Sequence, residues 1–136
     1  MRRFVIVGVL LMGLGLGPVR AQDGGEDIRS IISRQIEALK ADDFETAFSF
    51  ASPLIKRMFG SSERFGEMVQ NGYPMVWRPA QVRFSGLETR EGRTVQSVLV
   101  TDQSGALYVL DYDMITGDDG WRINGVMVRR AGDAGA

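Results

Sequence analysis

Two groups of side chains in this sequence have types and spacing that suit chemistry. The first is Tyr73, Trp77 and Arg78, inside the string Gly72-Tyr73-Pro74-Met75-Val76-Trp77-Arg78-Pro79. Tyr and Trp offer flat apolar area with one polar handle each. Arg adds five donors in a fixed fork that suits carboxylate or phosphate. The trio can rim a ligand cavity; it can equally form a rigid connector with Trp77 plugging a core. The second group is Tyr108, Asp111, Tyr112 and Asp113, two phenols and two carboxylates, groups on which catalysis without His or Cys would have to rest. Alternation along one strand puts both Asp on the face opposite both Tyr. The four therefore do not converge, and no catalytic residue is assigned. Tyr108 and Tyr112 remain candidate cavity lining, beside Tyr73, Trp77 and Arg78 at the rim. Asp42-Asp43 and Asp118-Asp119 fall at a helix cap and a turn, where Asp serves the backbone.

Two absences narrow the chemistry further. With 0 Cys there is no disulfide, thiol nucleophile or thiolate metal site. With 0 His the commonest general base and metal ligand are missing, and Ser-His-Asp machinery is excluded. No run of acidic residues has calcium-loop spacing. Neither a metal nor a cofactor is expected.

The N-terminus reads as a secretory signal peptide over residues 1–21. Arg2-Arg3 form a positive start, Phe4 to Leu16 an apolar run, and Val19-Arg20-Ala21 a small-residue cleavage site. The run is shorter than the roughly 20 residues that span a bilayer. Cleavage after Ala21 implies a periplasmic or secreted protein with no membrane segment left. Losing Arg2, Arg3 and Arg20 from 16 basic residues leaves 13 against 17 acidic ones, a net charge of −4. Such a chain, with no basic run, is a poor partner for nucleic acid or anionic lipid.

Periodicity gives the helices and strands that carry these side chains. At 136 residues, 44% hydrophobic and 24% charged, a single globular domain is expected. It should span residues 27–130, between a mobile leader at 22–26 and a disordered tail at 131–136. Asp27 is the expected N-cap of a helix of about three turns. Its stripe is Ile28, Ile31, Ile32, Ile36 and Leu39, interrupted on the same face by Gln35. Asp42 with Glu45 suggests a capping box for a second helix. Ser52-Pro53 starts a third, ended by Gly60. Ser62 is the expected cap of a fourth, with Phe65, Met68 and Val69 facing in and Gly72 at its end. Pro74 and Pro79 push Tyr73 and Arg78 out of the α region, so Gly72 to Pro79 reads as a non-helical join.

Past Pro79 the period changes to 2. Val82 and Phe84 begin a strand that fades at Gly86. Thr94 to Thr101 and Ala106 to Ile115 follow, and the last strand alternates Trp121, Ile123 and Met127. Trp121 should therefore pack towards the helices. Short turns at Glu91-Gly92, Asp102 to Gly105 and Gly117 to Gly120 make these antiparallel hairpins. The expected fold is α+β: helices packed on a curved antiparallel four-stranded sheet.

Phe50-Ala51-Ser52-Pro53, Met58-Phe59-Gly60, Gly72 to Pro79 and Trp121-Arg122-Ile123-Asn124-Gly125-Val126 together resemble the bacterial family called domain of unknown function 4864. The likeness runs from about Asp27 to Arg130. The ending Gly120-Trp121-Arg122-Ile123 is also similar to the last strand of nuclear-transport-factor-2-like domains. That superfamily includes ketosteroid isomerase, scytalone dehydratase and polyketide cyclases. The resemblance implies a sheet curled around helices into a cone with an apolar cavity, and frequent dimers. It brings no activity. Three function classes follow. The first is an exported, non-catalytic module binding a small apolar or amphipathic ligand or a protein partner. The second is a His-free isomerase, dehydratase or cyclase using Asp and Tyr. The third is an interaction module that forms a homodimer through its sheet.

Overall fold

The structure is a computed structural model that describes residues 24–131. The expected signal peptide and its cleavage site lie outside the described residues, as do residues 22–23 of the leader and 132–136 of the tail. Five helices precede four strands: α1 Gly25–Lys40, α2 Phe44–Ser49, α3 Pro53–Phe59, α4 Ser62–Gly72, α5 Pro74–Trp77, then β1 Gln81–Arg90, β2 Arg93–Thr101, β3 Leu107–Gly117 and β4 Gly120–Arg130. The strands form one open antiparallel sheet in the order β1-β2-β3-β4. The fold is α+β, with helices before a curved sheet. No described helix is long and apolar enough to cross a membrane.

The core lies between the helices and one sheet face. Ile28, Ile32, Ile36 and Leu39 bring the buried stripe of α1, and Phe65 and Val69 that of α4. The sheet supplies Val98 and Val100 from β2 and Leu110, Tyr112 and Met114 from β3, an i, i+2 set as a one-sided strand requires. Asp111 and Asp113 point the other way.

Several boundaries differ from the local signals. α1 begins after Gly24, not at Asp27, and runs for 16 residues. Gly24 takes a left-handed φ of 69°, and the Trp121 indole lies against it, 2.5 Å from where a Cβ would stand. This packing holds an extra turn of helix, so Gly24 to Glu26 belong to α1 and its cap rather than to a leader. Glu26 and Asp27 fall in the first turn, where acids suit the helix dipole. The cap of α2 is Asp43, which accepts from Thr46 N at 3.2 Å. Asp42 has φ 59° and turns its carboxylate elsewhere. Ser61, not Ser62, caps α4. Ser52 caps α3 with Pro53 next, as expected. The join after Gly72 contains one helical turn, because Pro74 sits at its first position, where a missing N–H costs nothing. Tyr73 and Arg78, each before a proline, are indeed outside the α region.

Two bulges rewrite the sheet. β1 does not fade at Gly86: its pairing shifts between Phe84 and Leu87 and continues to Arg90. In β4 an extra residue, Asn124, interrupts the register between Asp113 and Met114. Ile123 is buried before it, whereas Met127 is exposed after it and Val126 and Val128 face the core. The expected alternation of Trp121, Ile123 and Met127 thus holds for the first two only, since one inserted residue reverses facing. Beside the bulge, Ile123 N donates to Phe50 O at 2.9 Å and Ser52 N to Ile123 O at 2.8 Å. Ser52 Oγ also bonds Asn124 Oδ1 at 2.7 Å. The α2–α3 junction is thereby tied to the edge of β4.

Candidate functional site

An apolar cleft of about 330 Å³ opens where α3 and α4 lean over β4. The local sequence explains why. α3 is short and buries no residue, so it covers the sheet incompletely. Its Ile55, Met58 and Phe59 form one wall; Phe65, Met68 and Val69 of α4 form another. Ile123, Gly125 and Val126 make the sheet side around the bulge. Gly125 has no side chain to fill the space. The inner end reaches Leu39 and Gln35 of α1.

None of the lining residues is charged, and Gln35 and Tyr73 supply its polar side chains. Gln35 is buried, with its amide nitrogen donating to Ala47 O at 3.2 Å across the α1–α2 packing. A buried carboxamide held by its nitrogen leaves an oxygen that can accept from a neutral ligand donor. Sequence reading did not single out Gln35 as a site residue. Its signal was the polar break in the Ile stripe of α1.

The five candidate residues are not brought together. Tyr73 lines the cleft, while Trp77, Arg78, Tyr108 and Tyr112 are not among its lining residues. Arg78 holds Asp42 with two contacts of 3.0 and 3.1 Å and also donates to Lys40 O at the end of α1. Trp77 Nε1 donates to the same Asp42 carboxylate at 2.9 Å, and the guanidinium stacks 4.6 Å from the indole centroid. These two residues clamp α5 to the α1–α2 corner. The indole N–H and both terminal guanidinium nitrogens thus already have partners. Tyr108 packs against the core under the Arg130 guanidinium, 5.4 Å from its ring centroid.

Tyr112 is fully buried, and its hydroxyl has no hydrogen-bond partner. Burial pushes its phenol well above the ordinary value of 10.0. Opposite it in register is Gln96, also fully buried. The Gln96 amide donates to Ser85 O and Gly86 O at 3.2 Å each, filling the β1 bulge, while its Oε1 lacks a partner.

The acids lie on the far side of the sheet. Asp111 is bound by Arg129 at 3.0 Å and by Ser97 Oγ at 2.7 Å, and Asp113 by Arg93 at 2.6 Å. With Asn124 and Met127 they line a shallow outer groove of about 490 Å³. Neither carboxylate reaches a tyrosine of the inner face. Among the described residues, no group of three or more acids could hold a metal ion.

Residues 21–136 match the family described as Domain of unknown function (DUF4864). The chain belongs to that family. No curated protein matches the sequence. The DUF4864 match covers every helix and strand above, so the cleft, the Asp42 clamp and both bulges lie within the family domain.

Proposed function

We propose that this DUF4864 domain is an exported, non-catalytic binding module whose cleft takes an uncharged apolar or amphipathic small molecule. The observation that carries this reading is the cleft itself: about 330 Å³, apolar walls, no charged lining residue, and Gln35 and Tyr73 as neutral polar groups. An apolar recess with a few placed polar groups is the usual form of a small-molecule site. A charged ligand group inside it would lose hydration without an ion partner. Arg78, whose guanidinium would favour an anion, does not line the cleft, and its terminal nitrogens bond Asp42 and Lys40 O. Chemistry finds little support, because Asp111 and Asp113 sit on the opposite sheet face, paired with arginines. Helices leaning over a curved sheet with an apolar recess between them support kinship with nuclear-transport-factor-2-like domains. The N-terminal charge and hydropathy pattern supports export.

The test uses residues 22–136 with an uncharged solvatochromic dye and a fatty alcohol, against a fatty acid of equal length. The dye and the alcohol should bind, and the acid should bind more weakly. Met68→Trp, which fills the cleft from α4, should weaken dye binding at least about tenfold, or about 1.4 kcal/mol. A dye affinity unchanged in that variant, with the fold intact, would overturn the cleft as the site.

A further inference from the structure

The free edge of β4 is built differently from the free edge of β1. Ala131 N reaches Leu107 O on β3 at 2.9 Å. Backbone groups alternate in direction along a strand, so those of Val128 and Val126 point away from β3. Ile123 also points outward, to Phe50 and Ser52, and the one-residue insertion at Asn124 keeps both counts consistent. Past Ile123, no described residue pairs with that outward side. The edge from Gly125 to Val128 carries no charge. β1, the other edge, carries Arg83, Glu88 and Arg90 and a bulge between Phe84 and Leu87. Charges and bulges are the usual guards of an edge strand, and an apolar edge without them is a template for pairing.

The two most exposed large apolar side chains of the described residues flank this one edge. Met58, 65% exposed, lines the cleft with Gly125 and Val126 on the inner side; Met127, 68% exposed, lies on the outer side.

We propose that two copies of this chain pair antiparallel through Asn124 to Arg130 of β4, joining their sheets into one. The edge is self-complementary. Centring the pair on Met127 sets Val126 opposite the second copy's Val128, and each such pair exchanges both N–H···O bonds. Arg129 and Arg130 then face Gly125 and Asn124 of the other copy, so no like charges oppose. A two-fold axis through the joint places Met127 beside its own counterpart on one side and brings the two α3 helices with Met58 together on the other, as an isologous contact requires. The segment Phe50 to Ser52 limits the ladder at Ile123, where it already occupies the edge. This inference is independent of what the cleft binds.

The experiment is sedimentation velocity on residues 22–136 over a concentration series, with hydrogen exchange on the same samples. Wild type should sediment at twice the monomer mass at high concentration, and the Val126 and Val128 amides should become more protected as concentration rises. Val128→Pro removes an outward N–H that the monomer does not use, which edge strands tolerate; it should sediment as a folded monomer. Val109→Lys, on the outer face away from the edge, should remain a dimer. A wild type that stays monomeric overturns the proposal. So does a dimer abolished by Val109→Lys but not by Val128→Pro, which would mark face-to-face packing. If Val128→Pro fails to fold, concentration-independent exchange at Val126 and Val128 in the wild type overturns it.

Discussion

Tyr112→Phe should stabilise this protein, although it alters the largest fully buried side chain of the core. The phenol ring packs among Val98, Leu110 and their neighbours, and the substitution keeps that ring. What it removes is an oxygen with no hydrogen-bond partner and no exposure. Leaving such a hydroxyl unsatisfied costs about 1–3 kcal/mol. Part of that is offset by the contacts the oxygen makes, so the expected gain is about 1 kcal/mol, or roughly 4 °C in Tm for a domain of this size. The same hydroxyl sets a pH dependence. Burial raises the folded-state pKa above the ordinary 10.0, so the folded chain keeps a proton that the unfolded chain sheds. Above 10.0 the unfolded state binds fewer protons, and stability falls as pH rises; below 10.0 this contribution is fully present. Urea melts of wild type and variant at neutral pH and above 10.0 measure both effects. The variant should be more stable at neutral pH and should decline less on the alkaline side. A loss of about 1 kcal/mol or more at neutral pH would contradict an unsatisfied hydroxyl. It would mean that the hydroxyl is bonded in solution, for instance through a water to Gln96 Oε1.

Gly24→Ala should cost about 2 kcal/mol or more in denaturant melts, because φ 69° disfavours a side chain and the added Cβ would meet the Trp121 indole. Trp121→Ala should cost about 3 kcal/mol, the lower end for a large aromatic since the indole is only partly buried; a loss below about 1 kcal/mol would detach Trp121 from the core. Arg78→Ala should lower stability by about 1 kcal/mol, a partly exposed clamp being worth no more, and should leave dye binding in the cleft unchanged. Weaker dye binding without destabilisation would return Arg78 to the site. Protein recovered from outside the cytoplasm should begin at Gln22 by N-terminal sequencing; intact Met1-Arg2-Arg3 on exported protein would refute cleavage after Ala21.

Features that depend on neighbours a few residues apart are legible along the chain. The switch from a 3.6 to a 2 period after Pro79 places helices before strands, and the short turns make every strand pairing antiparallel. Ser52-Pro53 starts α3 because capping and proline geometry are settled within one turn. The absence of His and Cys removes whole classes of chemistry before any fold is considered. Which of two adjacent acids caps α2 depends instead on long-range contacts. Asp42 and Asp43 are locally equivalent, and Arg78 and Trp77, about thirty-five positions away, draw Asp42 off. The same holds for the faces of β4: a single inserted residue at Asn124 exposes Met127, and no local pattern marks the insertion because it answers to the partner strand. The cleft is a third case. Its walls come from α1, α3, α4 and β4, and each side chain alone reads as ordinary core. The space exists because α3 is too short to cover the sheet and Gly125 leaves it unfilled, a property of packing between elements that no single stretch carries.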